Sequence, residues 1–299
     1  TPQLFHINTS AGFNNGIQSD HLYNFNLNQA GIVSNIISND KETGIITLNL
    51  GYSFNKTNNL NQSVIIKGKS STNSMADKWT EDAYGYYKDE LMDNAYYGYL
   101  AKTTWLIDTL PGLNTEYGTV YSNYGDNLPS VYGQTIRRLI SNEGYTGEHA
   151  ISIGGNYSNK IFFGATLGIS KLKYTSHFEH LESTDIALPS NFRSFTYTDH
   201  YENTGTGYSL KFGAIIKPIE SLRIGLAFHS PTFYRINAYF YESISSNFTD
   251  GSSYKSPVDP LRYSYILTTP FRALGGIAVQ IKKIALLSAD YEFVDYSIA

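Results

Sequence analysis

The sequence predicts an all-β fold: a transmembrane antiparallel β-barrel carrying a long, partly helical loop. Three observations lead there. Apolar and polar residues alternate with period two in one run after another, which marks strands with one apolar face. The 299 residues are 15% aromatic and only 16% charged, with 26 Tyr, 16 Phe and 25 Gly. Soluble domains carry about 25% charge, whereas membrane barrels need alternating faces and aromatic girdles. Finally, the connections between runs alternate between long and short, as in barrels with long loops on one side and tight turns on the other.

About nine strands follow from the alternation. The first holds Phe5, Ile7, Thr9, Ala11 and Phe13. A Gly/Asn connection at 14–20 leads to a strand over about 21–37, then a compact turn at 38–44. Ile46, Leu48, Leu50, Tyr52 and Phe54 form the next apolar face. Alternation lapses over 55–147, where 83–104 looks helical and a second short helix fits 131–142. It resumes with Ile151, Ile153 and Tyr157, turns at Ser158-Asn159-Lys160, and continues through Phe163, Ala165, Leu167 and Ile169. A loop near 182–192 precedes a strand over about 195–216, turned at Pro218 into one that rises to about 241. After a polar loop at 243–260, a strand over 263–281 and a Lys282-Lys283 turn lead to Leu287, Ala289, Tyr291 and Phe293.

Charge placement agrees with a lipid-facing stripe. A Lys or Arg at mid-depth on that side costs about 2–4 kcal/mol. Lys211, Asp290 and Glu292 all fall on the polar parity of their strands, and Lys217, Arg223, Lys282 and Lys283 sit beside short turns. A large soluble β-domain is the competing expectation. No run approaches 18 apolar residues, so no transmembrane helix is expected.

Bulk properties exclude several functions. A net charge of −4 gives no case for nucleic acid, and the absence of Cys removes disulfides and thiolate metal sites. No Gly-Xaa-Ser-Xaa-Gly or His-Glu-Xaa-Xaa-His motif occurs, so no catalytic residue, cofactor or metal is expected. His177-Phe-Glu-His180 does not converge on an ion from an extended segment. The candidate ligand-capture residues come from the Tyr-rich stretch: Trp79, Tyr84, Tyr87, Leu91, Tyr96, Tyr97, Leu100 and Trp105. Such side chains suit hydrophobic ligands taken from water, though packing within the loop explains them equally well. Arg137 and Arg138 suit a carboxylate, with solvated loop charges as the plainer reading.

Several motifs point further. They are Phe25-Asn-Leu-Asn-Gln-Ala-Gly31, Gly154-Gly-Asn-Tyr-Ser-Asn-Lys-Ile-Phe-Phe-Gly164, Gly207-Tyr-Ser-Leu-Lys-Phe-Gly213, Lys217-Pro218, Leu222-Arg-Ile-Gly225, His229-Ser230-Pro231, Thr269-Pro270-Phe271-Arg272 and Leu287-Ser-Ala-Asp290-Tyr-Glu-Phe-Val-Asp295-Tyr. In this order and spacing the chain resembles the FadL/TodX family of outer-membrane transporters for long-chain fatty acids and hydrocarbons, especially a divergent branch often labelled hemin receptor. The resemblance implies a fourteen-stranded barrel with an N-terminal hatch, loop capture of ligand and lateral release into the membrane. It also implies a single barrel domain over 1–299, incomplete at both ends and drawn from a longer precursor, with 55–147 as an extracellular loop insertion. The expected location is the outer membrane of a Gram-negative bacterium, the expected partners its lipid and a hydrophobic small molecule. The alternative is a non-transporting barrel of the same fold, acting as a structural or assembly subunit with other outer-membrane proteins.

Overall fold

In the computed structural model, which describes residues 2–14, 16–38, 43–122, 129–282 and 284–297, the alternating runs become strands of one large antiparallel sheet. The chain opens with β1 (Pro2–Phe13), β2 (Gly16–Leu27), β3 (Gln29–Ser38), β4 (Ile45–Asn59) and β5 (Gln62–Lys69). Helices α1 (Met75–Ala83), α2 (Leu91–Asn94) and α3 (Tyr96–Thr103) follow, with the short strands β6 (Ile107–Thr109) and β7 (Tyr117–Thr119). Then come β8 (Thr135–Tyr157), β9 (Ile161–Ser183), β10 (Phe192–Ile219), β11 (Leu222–His229), β12 (Phe233–Phe248) and β13 (Ser253–Lys255). The last strands are β14 (Leu261–Thr268), β15 (Phe271–Ile281) and β16 (Ala285–Asp295). The all-β expectation therefore holds.

The main path of the sheet runs β16-β15-β11-β10-β9-β8-β4-β3. Three of its lines are interrupted. β12 continues the line of β11 along β10, β14 follows that of β15, and β5 extends β4 along β8. Pro231 and Pro270 lie in two of the gaps, where a missing N–H cannot serve the ladder. At the third gap Gly144 takes φ +144°, and a Cβ there would collide with the backbone of Lys173. Among the described residues the sheet does not close, and β3 and β16 are the ends of that path.

Several expectations change. The strand expected over 21–37 is two, because β2 pairs with β1 in a separate hairpin while β3 joins the sheet. That hairpin pairs down to Phe13 and Gly16, so residues 16–20 of the connection expected at 14–20 belong to β2. The helix expected over 131–142 is absent, since residues from Thr135 onward belong to β8. Ile136 and Ile140 share one face there while Arg137 and Leu139 share the other, a mixed pattern that hides period two. The single helix expected over 83–104 is replaced by α2 and α3: Tyr84 (ψ 130°) and a left-handed Gly85 (φ +89°) end α1, and Ala95 (φ −145°, ψ 65°) separates the other two. The segment outside the sheet contracts from 55–147 to 70–134, because strands occupy both its flanks. Asn15, residues 39–42, Lys283 and 123–128, which belong to expected connections and to the loop, lie outside the described residues.

Register sorts the side chains onto two faces. On one, Leu50, Ile153, Ala165, Phe212, Phe228, Ala273 and Phe293 are successive direct partners across seven strands. The next row is Leu48, Gly155, Phe163, Ala214, Leu226, Gly275 and Tyr291. Most of the large side chains in these rows are exposed, Phe212 and Leu226 by 51% and 63%. No charged residue interrupts this free face in those rows.

In its lower half the other face mixes glycine and polar residues with the apolar Phe162, Ile215 and Leu274. In its upper half it receives the inserted segment 70–134, which forms a cap. Trp79, Ala83, Leu91, Leu100 and Ile107 of the cap pack with Phe192, Phe195, Tyr197, Ile244 and Phe248 of the sheet. Burying each large apolar side chain is worth about 1.5–3 kcal/mol. Gly98 lets α3 approach Ala83 of α1, since a Cβ there would lie 2.9 Å from that of Ala83. The principal hydrophobic core of the described chain is thus the cap against the upper sheet.

Candidate functional site

The side of the sheet that carries the cap also carries the polar chemistry, and it divides into three levels. The uppermost is an anchor. Residues 74–77 read Ser-Met-Ala-Asp, a capping box that starts α1. Ser74 Oγ accepts from Ala76 N–H at 3.0 Å, and Ser74 N–H donates to Asp77 Oδ2 at 2.7 Å. The same Ser74 Oγ donates to Glu182 Oε2 of β9 at 2.7 Å, and Met75 N–H donates to Glu182 Oε1 at 2.8 Å. Tyr121 O–H and Gln134 Nε2 also donate to Oε2, at 3.0 and 3.2 Å.

His180 completes the anchor. Arg138 Nε lies 2.8 Å from His180 Nδ1, and His180 Nε2 lies 2.9 Å from Glu182 Oε1. Arg Nε can only donate, so Nδ1 accepts and Nε2 carries the proton given to Glu182. Burial, the largest influence, opposes ionisation of Glu182. Hydrogen bonds from His180, Met75 and Ser74 outweigh it and hold the carboxyl below its usual range. Burial first, then the charge of Glu182, pushes the Tyr121 phenol far up. Ser74 faces the carboxylate rather than the imidazole, so the three residues are not arranged as nucleophile and base.

The middle level lies below the cap. Tyr97 meets Tyr197 edge-on at 6.4 Å, and Tyr197 O–H donates to buried Glu242 at 3.0 Å. Asp199 is the direct partner of Glu242 on the neighbouring strand. Burial, with the charge of Asp199 adding to it, raises the Glu242 carboxyl above its usual range. Asn203 Oδ1 and Ser209 Oγ, further along β10, are buried without a hydrogen-bond partner.

The lowest level is one row of direct partners: Ser152, Thr166, Lys211, His229 and Arg272. Ser152 and Thr166 share a hydrogen bond of 2.9 Å, and Lys211 Nζ pairs with Glu148 at 2.6 Å. Gly168 makes room for that pair, because a Cβ there would lie 2.9 Å from Glu148 Oε2. Beneath this row lies a cavity of about 730 Å³ lined by Phe162, Gly213, Ile215, Gly225, Leu274 and Gly276, with Asp290 and Glu292 from β16.

The candidate residues read from the sequence separate. Trp79, Leu91 and Leu100 are 2%, 0% and 0% exposed, so they build the core and do not line a groove. Trp79 packs against Phe195 with the rings tilted, at 5.2 Å. Tyr96 and Tyr97 stand together at the lower margin of the cap, 5.9 Å apart. Tyr84 and Tyr87 are largely exposed, and Trp105 lies against Lys102 and Tyr254. Arg137 and Arg138 point to opposite faces, one to Glu179 at 2.8 Å and the other to His180, so they form no joint carboxylate clamp. Sequence reading missed Glu182 and its donors. The capping box at Ser74 was a usable signal for the start of α1, but nothing in the sequence paired it with residue 182.

No family model, curated protein or solved structure matches this chain.

Proposed function

We propose that the chain forms wall strands of an outer-membrane β-barrel that admits hydrophobic small molecules, long-chain fatty acids or similar, by passive passage. One observation supports this most: the same strands hold an unbroken apolar row on the free face and, on the other, a row with Lys211, His229 and Arg272 above a glycine-rich cavity. A wall between lipid and lumen requires that pairing of faces. The stripe on β10 from Tyr208 to Ile216 has about the 9–11 residues that a tilted strand needs to cross a bilayer. Strands as long as the 28 residues of β10 then extend beyond the membrane. The cap lies over the mouth of the lumen, with Tyr96 and Tyr97 at its inner margin. Lys211, His229 and Arg272 face the passing molecule, and no covalent step is involved. Capture by the cap and sideways release to lipid are what the family resemblance adds.

The test is uptake of radiolabelled long-chain fatty acid by cells or proteoliposomes with and without the protein. Equal uptake and equal binding in both would sink the proposal.

A second reading has its own observation. The cap fills its interior with its own Trp79, Leu91 and Leu100 and leaves Tyr84, Tyr87 and Met92 outside. A barrel plugged in this way also suits a structural subunit of a larger outer-membrane complex. Purification in mild detergent separates the readings, since a stoichiometric complex favours the second and a lone barrel counts against it.

A further inference from the structure

The sequence run His177-Phe-Glu-His180 does not act as a unit. His180 turns under the cap, where Arg138 and Glu182 occupy both its nitrogens. His177 turns to the opposite face and meets His200, which is remote in sequence. β9 and β10 pair without a register shift, and His177 and His200 are direct partners. Their ring centroids are 6.1 Å apart with planes at 57°. Both side chains are partly exposed. They lie far along the strands from the apolar stripe, which on β9 ends near Ile169.

We propose that His177 and His200 form a binding site for a divalent transition-metal ion such as Zn²⁺, Ni²⁺ or Cu²⁺. Imidazole is a ligand of choice for these ions. An ion about 2.0–2.1 Å from each ring nitrogen places the two ring centroids about 5–6 Å apart. The observed spacing lies just beyond that range, so a small side-chain rotation brings one nitrogen of each ring to the ion. Both strands are fixed by neighbours on either side, so the backbone is already organised. Mg²⁺ and Ca²⁺, which take oxygen ligands, are poorly served.

A second histidine pair is already engaged in stacking. His6 and His21 on the β1–β2 hairpin are 5.7 Å apart, but their planes lie at 22° and stack. His6 also lies flat on Tyr23, at 4.5 Å and 7°. Turning His6 toward an ion would cost this stacking on Tyr23.

Among the described residues no third His, Cys, Asp or Glu joins either pair to make a three-ligand group. Glu179 is held by Arg137 at 2.8 Å. Glu202 lies further along β10, opposite Thr175, and contributes negative charge without reaching the ion. Water or a donor from another molecule fills the remaining positions, so the site is exchangeable, unlike a closed four-ligand structural site.

The experiment is calorimetric titration of the tag-free full chain in detergent with ZnCl₂ and NiCl₂, with MgCl₂ as the contrast. One ion per chain is expected for the transition metals. His177→Gln and His200→Gln should each weaken binding at least tenfold, and His6→Gln/His21→Gln should leave it unchanged. Unchanged affinity in both single variants, or loss confined to the hairpin variant, would overturn the site. A measurement on the unmodified protein guards against misfolded variants: Cu²⁺ electron paramagnetic resonance should show two nitrogen ligands. A spectrum with one nitrogen or none refutes the proposal.

Discussion

His180 Nε2 donates to Glu182 Oε1 at 2.9 Å, and both side chains are completely buried. This contact is the centre of the joint between cap and sheet. Glu182 belongs to β9, but most of its other donors belong to the cap. Removing one member of a buried charge network costs about 3–5 kcal/mol, because the groups left behind keep their desolvation penalty. Glu182→Ala should therefore loosen the cap while the sheet persists. In a Trp105→Phe background Trp79 is the sole tryptophan, and its emission reports the cap directly. The expected result is a red-shifted emission and faster proteolysis within 84–90. Emission and cleavage like those of the parent would show that the joint is held elsewhere.

The pH dependence of this joint has a definite sign. The Glu182 carboxyl is held below the ordinary carboxylate value of 4.5 in the folded state. A depressed carboxyl contributes stability above the unfolded value and loses it as pH falls through the folded one. The cap should therefore stay docked at neutral pH and weaken only below about pH 4.5. Trp79 emission followed from pH 7 to pH 3 reads this out. Glu182→Gln should flatten that acid transition, and an unaltered transition would assign it to other carboxyls.

Glu242 carries the opposite sign. Burial and Asp199 raise its carboxyl, so its protonated form is favoured by folding. That contribution is fully present below the unfolded value and is lost as pH rises through the folded one. Glu242→Gln removes the penalty at neutral pH and keeps an oxygen to accept from Tyr197. The variant should melt higher than the parent at pH 7–8 and no higher at pH 4. A lower melting temperature at neutral pH would mean that the charge itself is needed.

The aromatics of the cap separate by burial. Trp79→Ala opens a cavity among Phe195, Tyr197 and the helices, and such losses cost about 3–5 kcal/mol. Tyr87→Ala, at an exposed position, should stay within about 0.5 kcal/mol of the parent. Urea denaturation of the two variants makes the comparison. Equal effects would contradict the division between core and surface.

The sequence exposed the lower sheet well, because one face there is apolar and much of the other is small or polar. Tyr208, Leu210 and Phe212 set against Ser209, Lys211 and Gly213 leave little choice of parity. Legibility fails where both faces become useful. In 135–142, Ile136 and Ile140 share a face with Arg138, while Leu139 shares the other with Arg137, so neither parity is purely apolar. The tyrosines of 84–99 failed as a guide for a different reason. Composition cannot tell that most of them stay exposed while Trp79, Leu91 and Leu100 beside them form the core. The Glu182 anchor needed three dimensions altogether, since its partners lie at 74, 75, 121, 134 and 180. The His177–His200 pair was hidden likewise, because only register joins β9 to β10.

The last prediction concerns the cavity beneath Lys211. A Cβ added to Gly213 would sit 3.6 Å from Ala227 Cβ and from Leu226 O, which is ordinary contact. Gly213→Val is therefore compatible with the strand, yet it directs its methyl groups into the cavity of about 730 Å³. Ala165 offers the matched control. It lies on the free face beside Phe212, so Ala165→Val adds similar bulk on the side away from the cavity. If molecules pass along the glycine-rich surface, Gly213→Val should reduce fatty-acid uptake severalfold while Ala165→Val leaves it unchanged, both at parental melting temperature. Lys211→Met separates steric from electrostatic effects, because it keeps the bulk and removes the charge that Glu148 now balances. It should weaken uptake of a fatty acid more than of the corresponding uncharged alcohol. Equal losses in Gly213→Val and Ala165→Val would place the path away from this face of the sheet.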